Sequence, residues 1–472
     1  MVKKVIIFII CVILVFPIGL LNGCKDNGKI KINLGMWPSQ ELTNDIKMYQ
    51  TWKELFEKEY PQYEIVVDTY KYNPDTFLPL VMSQTQPTVF ETWFTEPQKL
   101  IDLKTAVKDI TEPLKQLGWY DKMDPEMRES LSRDGKIYGV PRDGYGLGLY
   151  INKRIFADVG IFYDWNDDGE IDIYDEEGKP LYPTTFEELT QAAITVTQAT
   201  NNSTKGLLIL SANRNGGWQF SNIAWNFGAS LQIQNNQDKW IANLNSPEAI
   251  AALQWIKDLK WEHNVLLEGT SYTYSDWYEK IGTGAVAMCF AGSDALSTPI
   301  TMFDMDKEDV VFVPMPEGPG GQYTLFGGTP FMFSYYASDE QVLGALRFLE
   351  YMGRSPEVSE IALGSLELGA STAIKNNMIV VDSIKPWINE DYRTAAKEIE
   401  QRHCNVNIDY FKDFFNNVNS TKRSEEPYYC QEMYAELDTC LQEVLRRQTA
   451  DPSALLATAN SNFQSQYMSK LA

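Results

Sequence analysis

Lys29-Ile30-Lys31-Ile32-Asn33-Leu34 alternates polar and apolar side chains, the period-two pattern of a strand with one buried face. Trp52, Leu55, Phe56 and Tyr60 then share one face of a predicted helix, and residues 63–68 and 88–93 read as two further strands. Strand, helix and strand in succession predict an α/β chain with a mostly parallel sheet and helical crossovers. Helix starts are marked farther on: Thr185 with Glu188 and Ser338 with Gln341 have capping-box spacing, and Ser246-Pro247 precedes a face of Ile250, Leu253 and Ile256. Strands are also expected at 206–210, 285–290 and 310–313, and the C-terminal end reads as helical. Three Gly- or Pro-rich stretches without strong periodicity, 140–148, 314–329 and 363–371, suit two lobes that exchange segments. Such an architecture has a cleft.

Ahead of the first strand, Lys3 and Lys4 precede an apolar run over 5–21, then Leu21-Asn22-Gly23-Cys24 and an abrupt polar turn at Lys25-Asp26-Asn27. A basic head, an apolar core and a small residue before the cut describe a secretory signal over residues 1–23. A run this long also approaches the ~20 residues of a spanning helix, but Pro17, Gly19 and the cysteine's position favour cleavage. Cys24 would then carry a diacylglyceryl group, whose two chains suffice for stable anchoring. Asn22 departs from the small or branched residue usual in such a lipobox.

The mature chain is long enough for two or more domains of ~100–200 residues. Its formal charge of -23 becomes more negative once Lys3 and Lys4 leave, which opposes nucleic-acid binding and repels anionic lipid headgroups. The two histidines, His263 and His403, sit near no nucleophile and in no metal-ligand spacing, so histidine-based catalysis is poorly supported. Cys289 reads as a small buried hydrophobe. An oxidising compartment would allow one disulfide among Cys404, Cys430 and Cys440, with the pair left open.

Asp134-Gly135-Lys136-Ile137-Tyr138-Gly139-Val140-Pro141, followed by Leu149-Tyr150-Ile151-Asn152-Lys153-Arg154-Ile155-Phe156 and Pro183-Thr184-Thr185-Phe186-Glu187-Glu188, resembles the DGKxYGVP, YxNKxxF and PxTxxE signatures of family 1 extracellular solute-binding proteins, the sugar-capturing lipoproteins of ABC importers. Ser246-Pro247-Glu248-Ala249, Gly284-Ala285-Val286-Ala287-Met288 and Gly327-Gly328-Thr329 follow in the family's order. The resemblance implies a two-lobed periplasmic-binding-protein-like fold of class II type, each lobe a mostly parallel sheet flanked by helices. It assigns residues 24–143 to lobe 1, 144–312 to lobe 2, 313–369 to the returning lobe 1 and 370–472 to a helical part of lobe 2. Crossings are implied near residues 140–145, 313 and 369. Ligand would bind between hinged lobes and pass to a permease. A monomer is expected.

A sugar offers apolar C–H faces ringed by hydroxyls, so its site needs flat aromatic rings and polar side chains. Trp37 and Trp93 follow predicted strands, and Arg142, Asp143 and Tyr145 fall in the expected hinge turn, at the strand-to-loop junctions where open sheets gather ligands. The family pattern matches Trp37, Trp93 and Tyr145 to first-lobe and hinge contacts. It matches the Gly217-Trp218 and Gly292-Ser293-Asp294 loops to second-lobe contacts, and Thr329 to the returning segment. Many relatives carry a Trp after the glycine of the second loop; Ser293 and Asp294 here imply a carboxylate in place of a stacking ring. Trp52, Trp255 and Trp261 lie on helical faces and read as packing, while Trp225 and Trp240 stay open.

Residues 164–175, Asp-Trp-Asn-Asp-Asp-Gly-Glu-Ile-Asp-Ile-Tyr-Asp, place Asp164, Asn166, Asp168, Asp172 and Asp175 at positions 1, 3, 5, 9 and 12 of a calcium loop, with Gly169 at the turn and the Glu170 carbonyl at 7. Asp at the last position resembles the dockerin variant of the EF-hand loop, and Glu176 could substitute for it. Gly160-Ile161-Phe162-Tyr163 reads as extended, so the Ca2+ ion expected here is structural rather than part of a helix-loop-helix hand. The expected function is capture of a carbohydrate, an oligosaccharide, outside the cytoplasmic membrane by a lipid-anchored chain without enzymatic turnover. Two alternatives stay open: a secreted carbohydrate-active enzyme, for which no motif pairs two acids, and a binder of polyamines or other cations held by Asp143 and Asp294.

Overall fold

A computed structural model describes residues 28–471, so the signal segment and Cys24 lie outside the described residues. Its centre is a nine-stranded sheet. The strands are β1 (Ile30–Gly35), β2 (Tyr63–Asp68), β3 (Val89–Glu91), β4 (Gly139–Asn152), β5 (Lys205–Leu208), β6 (Val286–Gly292), β7 (Val310–Val313), β8 (Thr324–Phe333) and β9 (Lys422–Ser424). β1 lies parallel to β2 and β3, β5 parallel to β6, and β9 parallel to β8. The antiparallel pairs cluster on β4 and β8, the strands that pass from one lobe to the other.

β4 serves two cores. Val140 packs with Ile32, Trp52 and Phe331 in the first lobe, whereas Leu147, Leu149, Tyr150 and Ile151 pack with Phe220, Met288 and Val311 in the second. β8 does the same in reverse, with Leu325 in the second core and Phe331 and Phe333 in the first. Glycines on one face of β4 permit the crossing. A Cβ on Gly146 would lie 2.9 Å from Thr324, and one on Gly148 would lie 2.7 Å from the Val313 carbonyl. The second lobe therefore closes directly onto this strand.

Helices cover the sheet as the capping signals predict. Ser338 accepts from the Gln341 N–H while Gln341 accepts from the Ser338 N–H, fixing the start of Asp339–Tyr351. Thr185 caps Phe186–Ala199 through the Glu188 N–H, but Glu188 reaches back to Thr184 rather than to Thr185. Ser246 caps Pro247–Trp261, whose Leu253 and Ile256 are fully buried.

Several expectations change here. Residues 142–145 form no turn; they lie inside the continuous strand β4. The second crossing runs through β8 rather than at 313, since β7 is buried in the second lobe. Gly369 marks no crossing: it sits within the helix Glu360–Lys375, where an added Cβ would meet open space, so nothing demands a break. Past residue 370 the chain alternates between the cores: Val381 packs in the second, Trp387, Tyr392 and Ala396 in the first, and Tyr410 in the second again, so no single boundary at 370 separates the lobes. The four cysteines among the described residues are free. Cys430 and Cys440 share the helix Cys430–Arg446, where ten residues of rise separate them by about 15 Å, beyond the ~7 Å a disulfide bridges. Among the described residues no helix is long and apolar enough to cross a membrane.

Candidate functional site

Where β3, β4, β6 and β8 end or cross, the two lobes enclose a cavity of about 540 Å3. Trp93, Arg142, Tyr145, Trp218, Asp294 and Thr329 all line it. β3 delivers Glu91 and Trp93, β4 delivers Arg142 and Tyr145, β8 delivers Thr329, and the turn after β6 delivers Asp294. Trp218 comes from the first turns of the helix Asn215–Asn226 rather than from a loop.

Strict alternation along a strand would put Arg142 and Tyr145 on opposite faces. A bulge prevents this. Thr329 pairs with Asp143 and Pro330 with Pro141, which leaves Arg142 as the extra residue. Pro330 has no N–H to give the ladder, and a bulge at that point re-aims a side chain. Arg142 then donates to Asp143 at 2.7 Å, to Glu91 at 2.8 Å and to the Thr329 hydroxyl at 3.1 Å. Burial works against the charge on Arg142, but Asp143 and Glu91 outweigh it and hold the guanidinium above its usual range. Burial would likewise raise Asp143; Arg142 and Arg354 prevail and hold its carboxyl below the usual range.

Aromatic rings face the cavity from both lobes. Tyr72 and Trp93 meet edge to face at 6.0 Å on the first. Tyr145, Trp218 and Tyr274 form a chain on the second, with ring centres 6.2 and 5.5 Å apart. Asp294 lies beside them. A Cβ on Gly292 would come within 2.5 Å of its Oδ1, 3.0 Å of the Tyr274 hydroxyl and 3.6 Å of the Tyr145 ring. Its carboxylate is open to the cavity yet hemmed in by protein, and this confinement, with Asp143 nearby, pushes it up to about 6.

Two predicted residues stand outside the lining. Trp37 is only 6% exposed and packs edge-on against Tyr49 at 5.4 Å in the first-lobe core. Its N–H bonds to the Asp68 carbonyl, which holds the chain beyond β1 against β2. Asp143 lies behind Arg142, spending its oxygens on Arg142 and the Thr329 N–H. Trp52 and Trp225 are core residues.

Sequence reasoning missed Lys71, Tyr72, Glu91, Tyr274, Glu425 and Tyr434, all in the cavity wall. Glu425 follows β9, whose pairing with β8 carries the C-terminal region to the cleft. Its Oε1 accepts from the Tyr434 hydroxyl at 2.7 Å, while Oε2 is buried without a partner. Burial pushes this carboxyl up to about 7. Glu425 and Asp294 together drive the Tyr145 hydroxyl upward beyond what its burial alone does. Two acids that no sequence motif paired thus share one cavity.

The acidic loop lies apart from this cavity. Asp164 accepts from the N–H groups of Asp168 and Gly169 at 3.2 and 2.8 Å, Asn166 from Asp168 at 3.0 Å, and Asp168 from Glu170 at 2.8 Å. Asp172 accepts from the Trp165 N–H at 3.3 Å. Asp175 turns instead to the N–H groups of Glu177 and Lys179. Among the described residues no three His, Cys, Asp or Glu side chains gather as a metal shell.

Comparison with known proteins bears on this frame. Residues 41–357 match the family described as bacterial extracellular solute-binding protein. No curated protein matches the sequence significantly. Among solved structures, an ABC transporter solute-binding protein from Thermotoga lettingae bound to α-D-tagatose has a TM-score of 0.68 at 15% identity, covering 92% of this chain and 99% of its own. The maltose-bound MalE3 of T. maritima has 0.66 at 19%, with coverage of 92% and 99%. A Listeria monocytogenes ABC substrate-binding protein in complex with cycloalternan has 0.68 at 16%, with coverage of 93% and 98%. At these identities the solved structures speak for the fold, and the family match, which spans most of the sequence, speaks for descent: the chain belongs to the bacterial extracellular solute-binding proteins.

Proposed function

We propose that this chain captures an oligosaccharide between its lobes and hands it unaltered to the permease of an ABC importer. The observation that carries this reading is the cavity of about 540 Å3 with aromatic rings on both walls and hydrogen-bonding groups between them, within the ~300–1,000 Å3 typical of small-molecule sites. The sugars bound in the similar structures support the same ligand class. Lipid attachment at Cys24 would hold the protein, as a monomer, on the outer face of the cytoplasmic membrane. A structural Ca2+ ion at Asp164, Asn166, Asp168, Glu170 and Asp172, with Asp175 or Glu176 swinging in to close the loop, rests on the motif's spacing.

A thermal-shift screen of the mature chain against oligosaccharides tests the binding reading, because a ligand that favours the closed lobes raises stability by mass action. No shift with any sugar would count against it. Asp294 and Glu425 in one cavity also make the hydrolytic alternative concrete. Incubation with each sugar that binds, followed by assay for new reducing ends, separates the two; reducing ends formed by the wild type and lost in both Asp294→Asn and Glu425→Gln would overturn capture without turnover.

A further inference from the structure

Two acids in the cavity wall have no cation. Among the described residues neither Asp294 nor Glu425 forms an ion pair, and Arg142, the one cation acting on Asp294, is shared between Glu91 and Asp143. Arg214, also in the wall, acts on Glu96 and Asp438 instead. Lys71 is exposed beside Tyr72 on the other lobe and, among the described residues, forms no ion pair with either acid. Between the two acids lies Tyr145, whose hydroxyl feels both. Trp218 and Tyr274 continue the ring cluster, and Tyr274 and Tyr278 also face Asp294. Around Glu425 the other groups are Tyr434 and Cys430.

Rings beside unpaired acids describe the surroundings of an ammonium group. The ring quadrupole attracts a cation by ~0.5–2 kcal/mol, and a desolvated carboxylate is stabilised far more by a charge than by a hydroxyl. A neutral sugar hydroxyl would satisfy one lone pair and leave the carboxylate's charge unpaired.

We propose that the end of the cleft formed by Asp294, Glu425, Tyr145, Trp218 and Tyr274 is a subsite for a protonated amine, so that the oligosaccharide it takes contains an amino sugar with a free amine. This rests on the carbohydrate reading above and narrows it.

Calorimetry on the mature chain near neutral pH tests it with three β-1,4-linked trimers of one shape: glucosamine trimer, its N-acetylated counterpart and cellotriose. The glucosamine trimer should bind at least about tenfold more tightly than either, and the ratio should fall below about threefold in Asp294→Asn and in Glu425→Gln. Equal or tighter binding of a neutral trimer overturns the amine subsite and leaves the carbohydrate reading standing. A preference undiminished in both variants overturns the assignment to these two acids. Should none of the three trimers bind, nor maltotriose or mannotriose, the carbohydrate reading fails first and the subsite with it.

Discussion

Replacing Glu425 with Gln should stabilise the protein, and only above a definite pH. The ordinary value of this carboxyl is 4.5, and burial pushes it up to about 7 in the folded chain. An acid whose value is raised by folding costs nothing below its unfolded value, where both states are protonated. The cost grows as pH rises from 4.5 towards 7 and is complete above 7. At about 1.4 kcal/mol per unit, the ceiling is about 3 kcal/mol, and water reaching the half-buried group should lower it to roughly 1–3 kcal/mol. Gln keeps an oxygen to accept from Tyr434 and puts an amide where Oε2 has no partner. Urea unfolding of wild type and Glu425→Gln should therefore give equal stability near pH 4 and a gain of roughly 1–3 kcal/mol for the variant near pH 8. Other acids raised by burial, Asp294 and Glu426 among them, are common to both proteins and largely cancel in the difference. A difference that does not change with pH, or a variant that loses ground towards pH 8, would refute the argument.

Four further outcomes are expected. Trp37→Ala should cost about 3–5 kcal/mol in urea unfolding, the loss of a buried ring from the first-lobe core rather than of a ligand contact. Trp218→Ala should weaken binding of whichever oligosaccharide the thermal-shift screen finds by about tenfold, read by calorimetry. Arg142→Gln strands Glu91 and Asp143 without their shared cation and should cost roughly 3 kcal/mol at neutral pH; because Asp143 is held below its ordinary value, wild-type stability from this network is full above 3.8 and is lost as pH falls through the folded value, so the variant's deficit should shrink in acid. Chelation should lower the melting temperature of the mature protein if residues 164–175 hold calcium, and identical melting with and without calcium would remove the ion.

Local signals in the sequence reported local structure well. Ser338 with Gln341 and Ser246 with Pro247 cap helices because capping needs only residues a turn apart. The alternating strand at 30–35 and the helical face of Trp52 and Phe56 come out as read. Trp93 and Asp294 reach the cavity because each follows a strand that was legible, whereas Tyr145 and Trp218 reach it from a strand and a helix where a turn and a loop were expected. Trp37 has the same pattern as Trp93, a Trp just beyond a strand, yet its ring turns into the core; only the contact with Tyr49 distinguishes them, and that contact depends on how the following helix packs. Gly369 resembles a break because glycine often marks one, but at a half-buried helix position with open space beside it a glycine costs only about 1 kcal/mol.

What the sequence hid is non-local, and it decides the chemistry of the cleft. Glu425 reaches the cavity because β9 pairs with β8, whose own partner residues lie about a hundred positions earlier, and no periodicity in a three-residue strand announces such a pairing. The bulge at Arg142 is equally remote in cause: Pro330, on another strand, withholds an N–H, and the register slip it imposes lets Arg142 and Tyr145 face one ligand space. The same strand carries both lobes' cores at its two ends. Any change in the angle between lobes falls in part on residues 141–146 of β4, beside β8, where the hydrogen bonds of Arg142 to Glu91 and Thr329 tie the strand to the first lobe and Tyr145 touches the ring chain of the second. A ligand that bridged Trp93 and Trp218 would act across that short segment, so on the proposed reading binding and lobe angle are coupled through the same residues.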